Sequence, residues 1–208
     1  MNELELPRAA RPRRMALPAA ALAALWLVML TVGAGPVDGR LLTAIYAHDN
    51  PLLADIARAF TFLGDWSVII AVSVAAGLWL TFTRGLRYGA AVFLVTIVGR
   101  LLVTAQKYGI ERLRPADQEH LVQVSTPSFP SGHAAGSLIV YLTVALVLTS
   151  GSRWKWPAVA AALLLAFFIG LSRIVLGVHW PTDVIGGWAF GLLWVLVTLP
   201  WAERLATR

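Results

Sequence analysis

Long runs of hydrophobic residues in this chain are separated by short segments that carry most of the charge. An α-helix needs roughly 20 apolar residues to cross a hydrocarbon core of about 30 Å, and each run approaches that length. We therefore predict an all-α fold, a polytopic membrane helical bundle with six transmembrane helices. The predicted spans are Met15 to Ala34, Ser67 to Phe82, Gly89 to Gln106, Gly132 to Ser150, Pro157 to Leu176 and Val184 to Leu199.

The first outer loop contains a shorter amphipathic segment, PLLADIARAFTFLGDW. Asp55 and Arg58 fall on one face of a helix drawn through it, and the apolar residues fall on the opposite face. This pattern predicts a short interfacial helix that lies on the outer membrane surface. The apolar face consists of Leu52, Ile56, Phe60 and Leu63.

Composition agrees with a membrane protein. Hydrophobic residues make up 58% of the chain and charged residues only 13%, and the mean hydropathy of +0.72 is far above that of soluble domains. We expect one domain over residues 15–200, a basic tail over 1–14 and a second tail over 201–208. The absence of cysteine excludes a disulfide, a thiol nucleophile and a thiolate metal site.

The net charge of +6 does not indicate nucleic acid as a partner, because the basic residues form no single block. They instead predict the orientation of the helices, since loops rich in lysine and arginine stay in the cytoplasm. Both termini are predicted to be cytoplasmic. A cleaved signal peptide at the first apolar run is the alternative, but the run is long enough to span. The residues on the predicted inner side are Arg8, Arg11, Arg13, Arg14, Arg84, Arg87, Arg153, Lys155, Arg204 and Arg208.

Three polar segments interrupt the apolar pattern: KYGIERLRP, PSFPSGH and SRIVLGVHWPTD. The first follows span three, the second precedes span four, and the third joins spans five and six. The number of membrane crossings places all three on the same outer face, where they can form one site. The candidate residues are Lys107 and Arg114, then Ser131, Gly132 and His133, then Arg173, His179 and Asp183.

These residue types point to phosphate chemistry. Lys107, Arg114 and Arg173 gather three cations near a region of low dielectric, where their repulsion requires an anion. Phosphate suits the arginine fork and the compact lysine charge. The Ser131 hydroxyl can donate to the same anion, and the helix that begins at Gly132 adds free backbone N–H groups and the positive end of its dipole.

The two histidines divide the remaining roles. The spacing of four between His179 and Asp183 lets the carboxylate fix one tautomer and leaves the other nitrogen as a nucleophile. His133, on another helix, can protonate the leaving oxygen. A zinc site made of these three residues is an alternative, but the surrounding cations would repel a dication, so we predict no metal and no cofactor.

Each residue taken alone also has an ordinary structural role. An arginine near a span end usually extends to the membrane surface, and an Asp four residues from a His can simply cap a helix. Separate structural roles do not easily explain why one face gathers two histidines, three cations and a helix N-terminus. We therefore favour the catalytic interpretation over the structural one.

The three segments resemble the signature motifs of the type 2 phosphatidic acid phosphatase superfamily, which also includes vanadium-dependent haloperoxidases. All signature positions are present. The resemblance implies a metal-independent phosphatase that forms a phosphohistidine on His179, oriented by Asp183, with His133 as the acid for the leaving group. It also implies that the phosphoryl oxygens are held by Lys107, Arg114, Ser131, Gly132 and Arg173.

In the membrane branch of this family the substrates are lipid phosphates or pyrophosphates, and a compact membrane chain argues against the haloperoxidase branch. We expect a bacterial inner membrane protein with a periplasmic site and undecaprenyl pyrophosphate as the leading substrate. Phosphatidylglycerophosphate, phosphatidic acid and a lipid A phosphate follow. A phosphotransferase and an anion or lipid transporter remain alternatives.

Two further features stay open at the level of sequence. Arg100 lies two helical turns below Lys107 in span three, where a buried structural pair is the favoured role. Gly187 and Gly191 form a GxxxG pair in span six. Close helix packing is its favoured role, and a homodimer interface is the second one.

Overall fold

The computed structural model describes residues 12–206, so Arg8, Arg11 and Arg208 of the predicted tails lie outside the described residues. Every regular element within this range is an α-helix. The helices are α1 (Pro12–Val32), α2 (Pro36–Ile45), α3 (Pro51–Leu63), α4 (Trp66–Arg84), α5 (Leu86–Ile110), α6 (Gly132–Leu148), α7 (Lys155–Val175) and α8 (Pro181–Ala206).

Each predicted span corresponds to one long helix and begins within three residues of it. Five helices, α1, α4, α5, α7 and α8, are long and apolar enough to cross a membrane. The sixth, α6, is equally apolar but has only 17 residues. The all-helical fold is thus confirmed, whereas a crossing by α6 stays a prediction.

The segment between α1 and α4 contains two helices where the sequence predicted one. The unpredicted α2 begins at Pro36, and α3 begins at Pro51, a residue favoured at the first helical position. Asn50 caps α3 by accepting the N–H of Leu53 at 3.0 Å.

Helix α3 packs against α7 through small side chains, Ala54, Ala57 and Thr61. The apolar face predicted for the membrane surface points away from the bundle, since Leu52 is 71% exposed and Ile56 47% exposed. Whether that face rests on lipid head groups stays a prediction.

Helix α6 lies at the centre and packs against α4, α5, α7 and α8. Its buried positions surround the helix, as expected of a helix enclosed by others. Glycines of α8 permit a close approach to α6: a Cβ on Gly187 would lie 2.8 Å from the Ser131 carbonyl oxygen, and one on Gly191 would lie 3.0 Å from that of Ala135. The GxxxG pair therefore packs two helices of the same chain.

The loop over residues 111–131 joins α5 to α6 and is tied to the neighbouring segments by backbone hydrogen bonds. Ser131 donates to the carbonyl of Asp183 at 2.9 Å, and Leu121 donates to that of Leu176 at 3.1 Å. These bonds bring the end of α5 and the beginnings of α6 and α8 to one end of the bundle. The three polar segments meet there.

Candidate active site

His179 lies in the turn between α7 and α8, a turn that Gly177 permits with a φ of +75°. Its ring is fully enclosed, at 1% exposure. Nε2 lies 3.2 Å from Nη1 of Arg114, and Nδ1 lies 3.2 Å from Oδ2 of Asp183. Since a guanidinium only donates, Nε2 is the acceptor and Nδ1 carries the proton. This is the tautomer that the nucleophile requires.

The protonation state of His179 also suits a nucleophile. Burial lowers the pKa of His179 well below its ordinary value, and the positive charges of Arg114, Lys107 and Arg173 lower it further. The imidazole is therefore neutral at pH 7. All three predicted cations thus lie close enough to His179 to lower its pKa.

Asp183 is completely buried and accepts hydrogen bonds from four groups. Besides His179, the donors are Oγ of Ser128 at 2.5 Å, the backbone N–H of Trp180 at 3.0 Å and Nη1 of Arg112 at 2.9 Å. Such full satisfaction is what a buried carboxylate requires. These bonds hold the Asp183 carboxylate beside Nδ1 of His179, and its orienting role stays a prediction.

Arg112 lies in the first polar segment but is not among the candidate residues predicted from sequence, yet it is the ion-pair partner of Asp183. Its other guanidinium nitrogen donates to the carbonyls of Met29 and Leu30 at the end of α1, at 3.0 Å and 2.5 Å. The guanidinium also lies 4.3 Å from the ring centroid of Phe129. Arg112 therefore connects α1 to the carboxylate behind His179.

His133 occupies the first turn of α6 and donates from Nε2 to Oδ1 of Asp65 at 3.1 Å. Asp65 is the N-cap of α4, but its carboxylate makes no cap bond and serves the histidine instead. That hydrogen bond lowers the pKa of Asp65, assisted by the charge of Arg173 and opposed by partial burial. Asp65 is not among the residues predicted from sequence, because it lies 68 residues from its partner.

Gly64 precedes Asp65 and lies directly against the His133 ring. A Cβ at Gly64 would be 2.8 Å from Cδ2 of His133 and 2.4 Å from Cγ2 of Ile169. Only glycine fits there without displacing the imidazole.

The three predicted cations are held by neutral groups. Lys107 donates to the carbonyls of Pro127 and Ser128, at 2.6 Å and 3.2 Å. Arg114 donates to the carbonyls of Thr126 and Val178, at 2.7 Å and 2.5 Å. Burial lowers the pKa of Arg114 to about 10, which leaves it charged at pH 7.

Arg173 shows most directly that the cations of this region lack an anionic partner among the described residues. It is 4% exposed and donates from Nη1 to the Thr61 hydroxyl at 2.5 Å. Its buried Nε has no acceptor. Among residues 12–206, no carboxylate lies within 4.0 Å of the charged nitrogens of Lys107, Arg114 or Arg173. The site therefore keeps an uncompensated positive charge that an anion can neutralise.

The beginning of α6 supplies backbone donors to the same place. Ser131 is the N-cap, and its Oγ accepts the N–H of Ala134 at 3.4 Å, so its hydroxyl hydrogen remains free to donate. The N–H groups of Gly132 and His133, in the first turn, meet no acceptor within the described part of the chain. A Cβ at Gly132 would lie 3.5 Å from Cε of Lys107, an ordinary contact. The structure thus brings all eight predicted residues together and adds Asp65, Arg112 and Ser128.

Comparison with known proteins gives consistent matches. Residues 84–206 match the family model described as the PAP2 superfamily. The chain is 35% identical to phosphatidylglycerophosphatase B of Bacillus subtilis, over 75% of this chain and 78% of that protein. It is 32% identical to an undecaprenyl-diphosphatase of Sulfolobus acidocaldarius, over 67% of each chain.

A solved structure is similar as well. The crystal structure of a transmembrane PAP2 type phosphatidylglycerolphosphate phosphatase from Bacillus subtilis superimposes with a TM-score of 0.84 at 31% sequence identity. The match covers 90% of this chain and 97% of that one. The likeness extends well beyond the three polar segments and includes the arrangement of the helices.

Proposed function

The chain belongs to the PAP2 superfamily, and from that premise we propose that this integral membrane lipid phosphatase acts through a phosphohistidine, without metal or cofactor. The observation that carries the proposal is the neutral, acceptor-ready Nε2 of His179 beside three cations that have no carboxylate partner within the described part of the chain. This combination provides a nucleophile and a binding site for the group that it attacks.

Substrate binding prepares the nucleophile. In the structure Arg114 donates to Nε2 of His179 and so occupies the lone pair. A phosphate oxygen is the stronger acceptor for this guanidinium. When phosphate binds among Arg114, Lys107 and Arg173, the lone pair of Nε2 is released toward phosphorus. The free N–H groups at the start of α6 bind the remaining oxygens.

The first chemical step forms an N–P bond and breaks a P–O bond. Nε2 of His179 attacks phosphorus, and the leaving oxygen takes a proton from His133, whose imidazolium form is favoured by the negative charge of the bound phosphate. His179 keeps its Nδ1 proton, and Asp183 stabilises the positive charge that the phosphorylated ring acquires. Because Asp65 accepts from Nε2 of His133, the nitrogen that delivers the proton is Nδ1.

The second step reverses these roles. His133, now neutral, accepts a proton from a water molecule whose oxygen attacks the phosphorus. The N–P bond breaks, and its electron pair returns to Nε2 of His179. Inorganic phosphate leaves, and His133 is protonated again for the next cycle.

For the location we propose a bacterial inner membrane, with cytoplasmic termini and a periplasmic site. Basic residues at the helix ends farthest from the site support this orientation. Arg84 ends α4, Arg87 lies in the first turn of α5, and Lys155 begins α7. A cytoplasmic reporter fused after Arg208 should be active, and a periplasmic one should be inactive; the reverse result contradicts the orientation.

The decisive experiment offers a panel of lipid phosphates and diphosphates, with undecaprenyl diphosphate as the leading candidate, to the purified protein in the presence of a chelator. Products are identified by mass spectrometry. His179→Ala should lose essentially all activity. His120→Ala is the matched control, because His120 bonds only the carbonyl of Pro115 in the same loop.

Three outcomes contradict the proposal. Chelator-sensitive activity that a divalent ion restores is incompatible with a metal-free mechanism. Unchanged activity of His179→Ala is incompatible with the assigned nucleophile. Phosphate retained on a lipid or sugar acceptor in the products identifies a phosphotransferase instead of a hydrolase.

A further inference from the structure

Arg100 is a charged residue in the middle of a membrane-spanning helix. In α5 it lies ten residues before Ile110 and fourteen after Leu86, which is about 15 Å and 21 Å along the axis. Neither interface is close. A charge at this depth is costly and usually has a partner or a function. Within the part of the chain that the structure describes, no carboxylate forms an ion pair with Arg100.

Arg100 lines a cavity of about 230 Å³ between α4, α5 and α6. Among the described residues, the others that line this cavity are apolar or carry hydroxyl groups, so Arg100 is the one ionisable residue there. The hydroxyls of Ser73 and Thr96 donate to carbonyls of their own helices, at 2.7 Å and 3.0 Å. The guanidinium therefore has an accessible space and no protein anion to fill it.

The cavity adjoins the acid side of the proposed active site. Its lining includes Ile69, one helical turn after Asp65, and Gly136, one turn after His133. Arg100 itself lies two turns from Lys107 on a similar face of α5. The cavity thus begins about one helical turn deeper in the bundle than the His133–Asp65 pair.

The geometry of in-line displacement places the leaving group on this side. Nucleophile and leaving oxygen lie on opposite sides of phosphorus, so a group attacked by His179 departs toward His133 and the adjacent cavity. A lipid monophosphate would present an alcohol oxygen and a hydrocarbon chain there. A lipid diphosphate would present a second phosphate, and only that group supplies the anion that Arg100 lacks.

We propose that Arg100 binds the leaving phosphate of a lipid diphosphate, so that this enzyme prefers lipid diphosphates to monophosphates with the same chain. The inference rests on the proposed function. Nε2 of His179 attacks the terminal phosphorus, and the bond to the bridging oxygen breaks. His133 protonates that oxygen, and the lipid monophosphate leaves with its charge paired to Arg100.

The test compares kcat/KM for a polyprenyl diphosphate and for the monophosphate with the same chain. The variants are Arg100→Gln, Arg100→Lys and the control Arg87→Gln, which removes an exposed arginine from the inner end of the same helix. Arg100→Gln should lower kcat/KM for the diphosphate by about 10- to 100-fold, the size expected for charge-assisted hydrogen bonds. It should lower that for the monophosphate far less. The ratio of the two kcat/KM values, diphosphate over monophosphate, should lie between wild type and Arg100→Gln in Arg100→Lys. Arg87→Gln should leave this ratio unchanged.

Equal losses on both substrates, or no loss on either, overturn the inference, as does a wild type that prefers the monophosphate. If Arg100→Gln fails to fold in detergent, the ratio measured for Arg100→Lys decides, because this variant keeps the charge but lacks the fork. Failure of the proposed function is recognised separately, by activity that survives His179→Ala. If His179→Ala is inactive but the Arg100 variants keep the wild-type ratio of kcat/KM for diphosphate to monophosphate, only the role of Arg100 is refuted.

Discussion

Replacing Arg112 by methionine removes the guanidinium that pairs with Asp183 and leaves an apolar side chain in its place. The ion pair is 2.9 Å long, and its side chains are 9% and 0% exposed. Removing one partner of a buried pair costs about 3 to 5 kcal/mol. Asp183 keeps three other donors, from Ser128, Trp180 and His179, so we expect the lower end, about 3 kcal/mol.

If the loss of about 3 kcal/mol disturbs the orientation of His179 and so raises the activation free energy by the same amount, kcat/KM falls about 100-fold, since each 1.4 kcal/mol corresponds to a factor of ten. The assay is phosphate release from the preferred lipid substrate by purified protein in detergent. Arg112→Lys should lie between the wild type and Arg112→Met. Arg58→Met is the control, because Arg58 forms an exposed pair with Asp55, and such pairs contribute at most about 1 kcal/mol.

A double-mutant cycle separates orientation of the histidine from general destabilisation. Because Arg112 acts through Asp183, adding Arg112→Met to Asp183→Asn should cause little further loss. This explanation of how the Asp183 carboxylate is held would be refuted if the two losses multiply, or if the activity of Arg112→Met lies within twofold of the wild type.

Three further predictions concern the two histidines. Burial and nearby cations lower the pKa of His179, so its neutral form persists on acidification. The decrease of kcat/KM on the acid side, which reports protonation of His179, should therefore have its midpoint below pH 6.5. A midpoint at or above pH 6.5 contradicts the assignment of His179 as the nucleophile. Asp65→Asn should slow hydrolysis of alkyl phosphates more than of p-nitrophenyl phosphate, which needs no acid; equal slowing argues against a role through His133. Gly64→Ala should lower kcat, because its Cβ would contact the His133 ring, whereas Gly39→Ala, which meets nothing within 4 Å, should not.

The helices and the meeting of the three polar segments were predictable, because both follow from properties local in sequence. Apolar run length determines where a membrane helix can lie, and the number of crossings determines which ends share a face. Helix α2 was missed because it is short and contains Asp38, whose carboxylate accepts the backbone N–H of Thr182 at 3.0 Å. The sequence alone offers no indication of such a distant partner.

The supporting residues were not predictable for a related reason. Asp65 and Arg112 meet their partners across 68 and 71 residues. Arg112 also follows the end of α5, where Glu111 adopts a φ of +53°. Beyond that residue the helical period no longer determines side-chain direction, so Arg112 and Arg114 could not be assigned to different partners. A buried carboxylate at Asp183 does imply a nearby cation, but it does not identify which one.

The most direct test of the account is detection of the phosphoenzyme. The protein is mixed with lipid substrate, quenched in alkali during turnover because the N–P bond is labile in acid, digested with trypsin and analysed by mass spectrometry. The peptide 174–204 contains His179 as its one histidine. We predict that this peptide carries one phosphoryl group on His179 in the wild type and none in His179→Ala. Rapid turnover without modification of His179, or a phosphoryl group on another residue, would contradict the mechanism.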